Sequence, residues 1–133
     1  MTDTTLVKAA ATIVASASNA AGATTRGTKD VRTSHGGLLT MKITNGGTGP
    51  TVQCEGRVLV AHNDGATPTA ASAGTDWKTL WKFGGDTTAS AVTEQSCTID
   101  PQVMHFEVEF TGNTGQDVTV EAYFSELVKA VSV

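Results

Sequence analysis

Apolar residues recur at every second position along much of this chain, and that period decides what it can fold into. In "LLTMKIT", Leu39, Met41 and Ile43 lie on one side and Thr40, Lys42 and Thr44 on the other. The same alternation in "MHFEVEF" sets Met104, Phe106, Val108 and Phe110 against His105, Glu107 and Glu109. In "VTVEAYF" it sets Val118, Val120, Ala122 and Phe124 against Thr119, Glu121 and Tyr123. Successive side chains of a strand point to opposite faces, so a period of two marks a strand with one wet and one buried face.

Turn formers separate these runs. "NGGTGP", Asn45 to Pro50, tolerates positive φ or fixes a bend. Beyond it, "TVQCEGRVLVA" alternates again, with Val52, Cys54, Val58 and Val60 facing in and Gln53, Glu55 and Arg57 facing out. With "LLTMKIT" it is expected to form a hairpin. Weaker strands are expected in "AAATIVASA" (9–17) and "TKDVRT" (28–33). "WKTLWKF" fits a strand with Trp77, Trp81 and Phe83 on one face better than a helical turn, because Gly84 and Gly85 end it after seven residues. "AVTEQSCTI" is a further strand, stopped by Asp100 and Pro101. The tail "VKAVSV" carries no strong pattern.

About eight short strands between Gly-rich turns imply an all-β fold, an antiparallel β-sandwich or a jelly-roll-like barrel. The 133 residues suit one domain spanning 1–133, since a chain of this size buries about two thirds of its unfolded surface. The stretch at about 62–76, "HNDGATPTAASAGTD", lacks periodicity and is expected to be an exposed loop.

Composition narrows the function. Only 17% of residues are charged, and twenty-three are threonine, so the surface is largely neutral hydroxyl, methyl and amide. A net charge of −4 gives no general attraction for a polyanion, and nucleic acid is not an expected partner. No run approaches the roughly 20 apolar residues of a membrane helix. "KAAATIVASASNA" imitates a secretory signal poorly, its apolar part being short and broken by Thr12, so synthesis in a cytoplasm is expected. Cys54 and Cys97 fit neither a CxxC pair nor a zinc pattern and read as buried free thiols. A disulfide between them requires neighbouring strands, which the sequence leaves open.

One stretch imitates an active site. His105, Glu107, Glu109 and Glu121 crowd into a short span, but alternation turns all of them away from the core. Joined by the loop "TGNTG", the last two strands are expected to pair as a hairpin with His105 opposite Glu121. General acid/base chemistry needs a group tuned by burial or close partners in a cleft, and an open sheet face supplies neither. His35 and His62 each stand alone in loops, and no nucleophile elbow, phosphate loop or zinc spacing occurs. No catalytic residue, metal or cofactor is expected.

The segments "SNAAGATTRGTKDVRTSHGGLLTMKITNGGTGPT" and "HFEVEFTGNTGQDVTVEAYFSEL" resemble small β-rich virion proteins of tailed bacteriophages, most of all capsid decoration (cement) proteins. The resemblance implies a chain made in the host bacterial cytoplasm and added to the capsid surface, with the major capsid protein and copies of itself as partners. Many weak contacts repeated on a lattice would hold it there. The exposed row His105, Glu107, Glu109, Glu121 and Tyr123, and the basic cluster Arg26, Lys29 and Arg32, are then expected interface residues, as complementary patches. Two other roles fit the same sequence: a tail or connector part, and a carbohydrate-binding or adhesin module stacking ligands on Trp77, Trp81 and Tyr123.

Overall fold

The computed structural model describes residues 4–65, 68 and 76–132. They form eight strands and no helix: β1 (Thr4–Asn19), β2 (Thr25–Asp30), β3 (Gly37–Asn45), β4 (Glu55–Ala61), β5 (Trp77–Gly84), β6 (Val92–Ile99), β7 (His105–Thr111) and β8 (Val118–Ser132). The expected exposed loop is described at 62–65, 68 and 76; its other residues lie outside the described ones. The unassigned tail extends β8, pairing in backbone register with the start of β1.

Two four-stranded antiparallel sheets result. Sheet 1 has the order β1-β8-β3-β6, and sheet 2 the order β2-β7-β4-β5. Along the chain every connection crosses from one sheet to the other except β4 to β5. This interleaving is the double Greek key of a jelly roll, and it overturns both expected hairpins. β3 and β4 lie in different sheets, as do β7 and β8, so His105 does not face Glu121. Turn residues at Asn45–Pro50 and Gly112–Gly115 bend the chain as expected, but each bend carries it over the core. Period two specifies which side of a strand is apolar, and an apolar side is buried equally well in a hairpin or across a sandwich.

The core is the set of inward faces. Leu39, Met41, Ile43, Val58, Ile99, Phe106, Val108, Phe110, Val120, Ala122 and Phe124 are fully buried or nearly so. Each of these Val, Leu, Ile, Met and Phe side chains taken from water contributes about 1.5 to 3 kcal/mol. Met104 and Val52, both expected inside, are exposed. Met104 precedes β7, and Val52 precedes β4 on an isolated bridge to Thr114. Cys54 is buried, Cys97 packs against the core, and both are free thiols.

One irregularity reverses an expected face. The pairing of β4 with β5 shifts between Val58 and Leu59, with Val58 opposite Trp81 and Leu59 opposite Thr79. The extra residue, Leu80, flips the alternation, as a bulge does. Trp81 therefore packs on the core, while Trp77 falls opposite Ala61 on the outward side of the sheet. Where the sheets converge, Gly27 of β2 lies against the Ile13 backbone of β1, and any Cβ there would collide with the Ile13 carbonyl.

Candidate interaction faces

Sheet 2 presents its outward side chains in three rows across four strands. Cross-strand partners align Arg26, Glu109, Arg57 and Lys82 in the first row, and Thr28, Glu107, Leu59 and Thr79 in the second. The third row holds Asp30, His105, Ala61 and Trp77. The outward direction expected for His105, Glu107 and Glu109 is therefore correct. The expected solvation is not: they are 1%, 4% and 8% exposed.

Each row covers its acid differently. Glu109 takes the Arg26 Nε at 3.0 Å on Oε2 and the Arg57 Nη1 at 3.5 Å on Oε1. Arg57 continues to Glu55 at 3.1 Å, and Glu55 to Lys82 at 3.7 Å. This alternating ladder runs the width of the sheet. In the second row, Glu107 Oε1 accepts a hydrogen bond from the Thr28 hydroxyl at 3.3 Å, while Oε2, buried, has no partner among the described residues. Burial pushes the Glu107 carboxyl above its ordinary range; the Thr28 hydroxyl and Arg26 oppose the rise, and Glu109 adds to it.

In the third row, His105 Nε2 donates to the Gly65 carbonyl at 2.9 Å, and its Nδ1 stands 3.9 Å from Asp30 Oδ1. Arg32 grips Asp30 through Nε at 3.0 and 3.1 Å and Nη2 at 2.8 Å, and also donates to the Asp64 carbonyl. The Arg32 guanidinium holds the Asp30 carboxyl down to about 2. Asn63 and Asp76 join the two ends of the following segment at 3.1 Å. Trp77, at the end of this row, is buried.

Sheet 1 is different in kind. Its outward rows read Thr12, Tyr123, Thr40 and Ser96, then Ala10, Ser125, Leu38 and Thr98, with Thr119, Thr44 and Val92 at one end. Hydroxyls and methyls dominate. Leu38, Tyr123 and Val92 stand 50%, 45% and 57% exposed. Its charges are few: Glu121 accepts the Tyr123 hydroxyl at 2.7 Å and pairs with Lys42 at 3.4 Å, beside Glu94. The bond to Glu121 pushes the Tyr123 phenol up.

The expected interface residues are thus divided between two opposite faces. Glu121 and Tyr123 lie on sheet 1, and His105, Glu107, Glu109 and Arg26 on sheet 2. Lys29 of β2 reaches Glu126 of β8 at 3.7 Å, tying the sheets together, and Arg32 serves Asp30. Arg26 meets the acidic row within the same chain. Reading from sequence missed Arg57, Glu55 and Lys82 as its companions: their outward positions were legible, but the adjacency of β4 to β7 was not. Among the described residues, no three His, Cys, Asp or Glu side chains converge to hold a metal ion.

No protein-family model matches the sequence, and no curated protein matches it. Solved structures do resemble the fold. The K3 cleaved adhesin domain of Lys-gingipain from Porphyromonas gingivalis superposes with a TM-score of 0.59 at 10% identity, over 83% of this chain and 72% of that one. A chain of infectious bursal disease virus, Gx strain, gives 0.54 at 7% identity, over 96% of this chain and 35% of the viral one. The same virus in derived T=1 particles gives 0.50 at 10% identity, over 96% and 32%. The chain therefore spans about a third of those viral chains. At such identity the likeness concerns architecture alone, an antiparallel β-sandwich.

Proposed function

We propose that this chain is a structural protein of a virion, a head decoration protein of a tailed bacteriophage that binds the assembled shell through the outward face of sheet 1. The observation that carries this reading is the make-up of that face. Thr, Ser and Ala dominate it, and Leu38, Tyr123 and Val92 stand open on it. Short side chains lose little rotamer freedom on docking, and hydroxyls are easier to desolvate than charges. Repetition over a symmetric shell turns such modest contacts into lasting attachment. The ionic face of sheet 2, where Arg26, Glu109, Arg57, Glu55 and Lys82 already pair within the chain, is left toward solvent. Major capsid protein and further copies of this chain are the partners in this reading, and no reaction is assigned to it.

Co-sedimentation with undecorated shells tests it. The wild-type chain is expected to pellet with shells, and Tyr123→Lys with Leu38→Lys to stay in the supernatant while keeping the wild-type melting temperature. Shells that bind neither chain, or both equally, overturn the assignment of this face.

A second reading, a carbohydrate-binding or adhesin module, is favoured by the open Tyr123 ring on a flat polar sheet, a geometry on which a sugar can stack. Trp77 and Trp81, the other expected platforms, are buried and packed against the core, respectively. Binding to a glycan array that is lost in Tyr123→Ala, with no attachment to shells, would select this reading.

A further inference from the structure

Glu107 is an acid with which no cation forms an ion pair among the described residues. Its side chain is 4% exposed, although Thr28 beside it is open to solvent. The two guanidiniums of the adjoining first row are both committed elsewhere. Arg26 is on Glu109, and Arg57 is on Glu109 and Glu55. Across the strand pair stands Leu59, which offers no polar atom. The one hydrogen bond to the carboxyl, from Thr28 at 3.3 Å, reaches Oε1 and leaves Oε2 without a partner among the described residues.

The remaining charges around it do not supply the missing cation. On β2, Asp30 is negative and is neutralised by Arg32. On β7 itself, Glu109 is negative, and His105 directs its Nε2 to the Gly65 carbonyl and its Nδ1 toward Asp30. On β4, Glu55 is negative and paired with Arg57. On β5, Lys82 lies in the first row and pairs with Glu55, leaving Thr79 in the row of Glu107. A carboxylate buried without a partner costs several kcal/mol, and the ordinary resolution is to take up a proton.

We propose that Glu107 is a proton-binding site built into the outward face of sheet 2, neutral in the folded chain, so that folding takes up a proton and unfolding releases it. The coupling has a definite sign. A carboxyl that ionises less readily in the folded than in the unfolded chain favours the fold fully below its ordinary value of 4.5. That contribution is lost as pH rises through the folded value. Mild acid therefore hardens this domain, where paired carboxylates would soften it.

Thermal melting of the full chain between about pH 4 and about pH 8 tests the proposal, with Glu107→Gln and Glu109→Gln compared to wild type. Glu107→Gln mimics the protonated acid, so it is expected to melt about 4 °C above wild type near neutrality, the gap closing toward acid. Glu109→Gln, which breaks two ion pairs, is expected to melt below wild type at neutrality. A Glu107→Gln chain that melts at or below wild type throughout overturns the idea. Independently of any variant, the carboxyl carbon of Glu107 followed by NMR in the folded wild-type chain must titrate above 4.5; a midpoint at or below that value overturns it as well.

Discussion

Phe106 of β7 and Phe124 of β8 meet edge to face across the sandwich, their ring centroids 4.9 Å apart and their planes at 61°. Strands consecutive in the chain thus touch through the core instead of through a backbone ladder. Both rings are fully buried or nearly so, and the positive edge of one against the negative face of the other adds to their burial.

Removing either ring opens a cavity between the sheets. Phe106→Ala or Phe124→Ala is expected to lower unfolding free energy by about 3 to 5 kcal/mol in urea titrations. The double variant should lose less than the sum of the two, by about 1 kcal/mol, because the contact is removed only once.

At one end of the sandwich a pair of amides fastens β1 to the connection between β7 and β8. Asn19 Nδ2 donates to Asn113 Oδ1 at 2.7 Å, and Asn113 Nδ2 donates to the Asn19 and Gln116 carbonyls at 3.1 and 3.0 Å. Thr25 completes the set by donating to Asn19 Oδ1 at 2.7 Å. Both amides are buried, so deleting one orphans the groups of the other. Asn113→Ala is expected to cost about 2 to 3 kcal/mol, measured by the same denaturant titration, and to speed amide exchange at Gly22, whose N–H bonds the Asn113 carbonyl.

Asp30 provides a check on the third row of sheet 2. Its carboxyl, held at about 2 by Arg32, favours the fold above its ordinary value of 3.8, and this contribution is lost as pH falls toward 2. NMR titration should find the low midpoint in the wild-type chain and a return toward 3.8 in Arg32→Ala. Because the pair is exposed, the effect on melting temperature is expected to be small.

The two thiols should differ in reactivity from ordinary surface cysteines. Burial pushes the Cys54 thiol up to about 11 and raises that of Cys97. With little thiolate and no access, Cys54 is expected to resist a thiol reagent in the folded chain, and both residues to react at once in denaturant. Mass spectrometry of the labelled chain reads the count directly.

Face assignment was legible in the sequence wherever the ladder is regular. Leu39, Met41 and Ile43, and likewise Val118, Val120, Ala122 and Phe124, lie inside as their spacing predicts. Neighbourhood was not legible. Nothing in the spacing of "HFEVEF" says that β2 and β4 flank it, so the shielding of His105, Glu107 and Glu109 by residues far off in the chain had no local signal. The bulge at Leu80 had no local signal for a related reason: one inserted residue leaves composition unchanged while placing Trp77 and Trp81 on opposite faces. Chemistry at a single position could be read; the pairing of Arg26 with Glu109 needed the topology.

The pairing of β1 with β8 bears on how the molecule comes into being. β1 borders no strand of its own sheet except β8, and the register joins Asn19 to Val118. A ribosome releases the first of these long before it makes the second, so β1 must wait with its edge unmet until β8 emerges. Folding dominated by such distant pairings is slow, and waiting strands are prone to stick to one another. Its alanines and serines, with Lys8 among them, give that waiting segment little to adhere with.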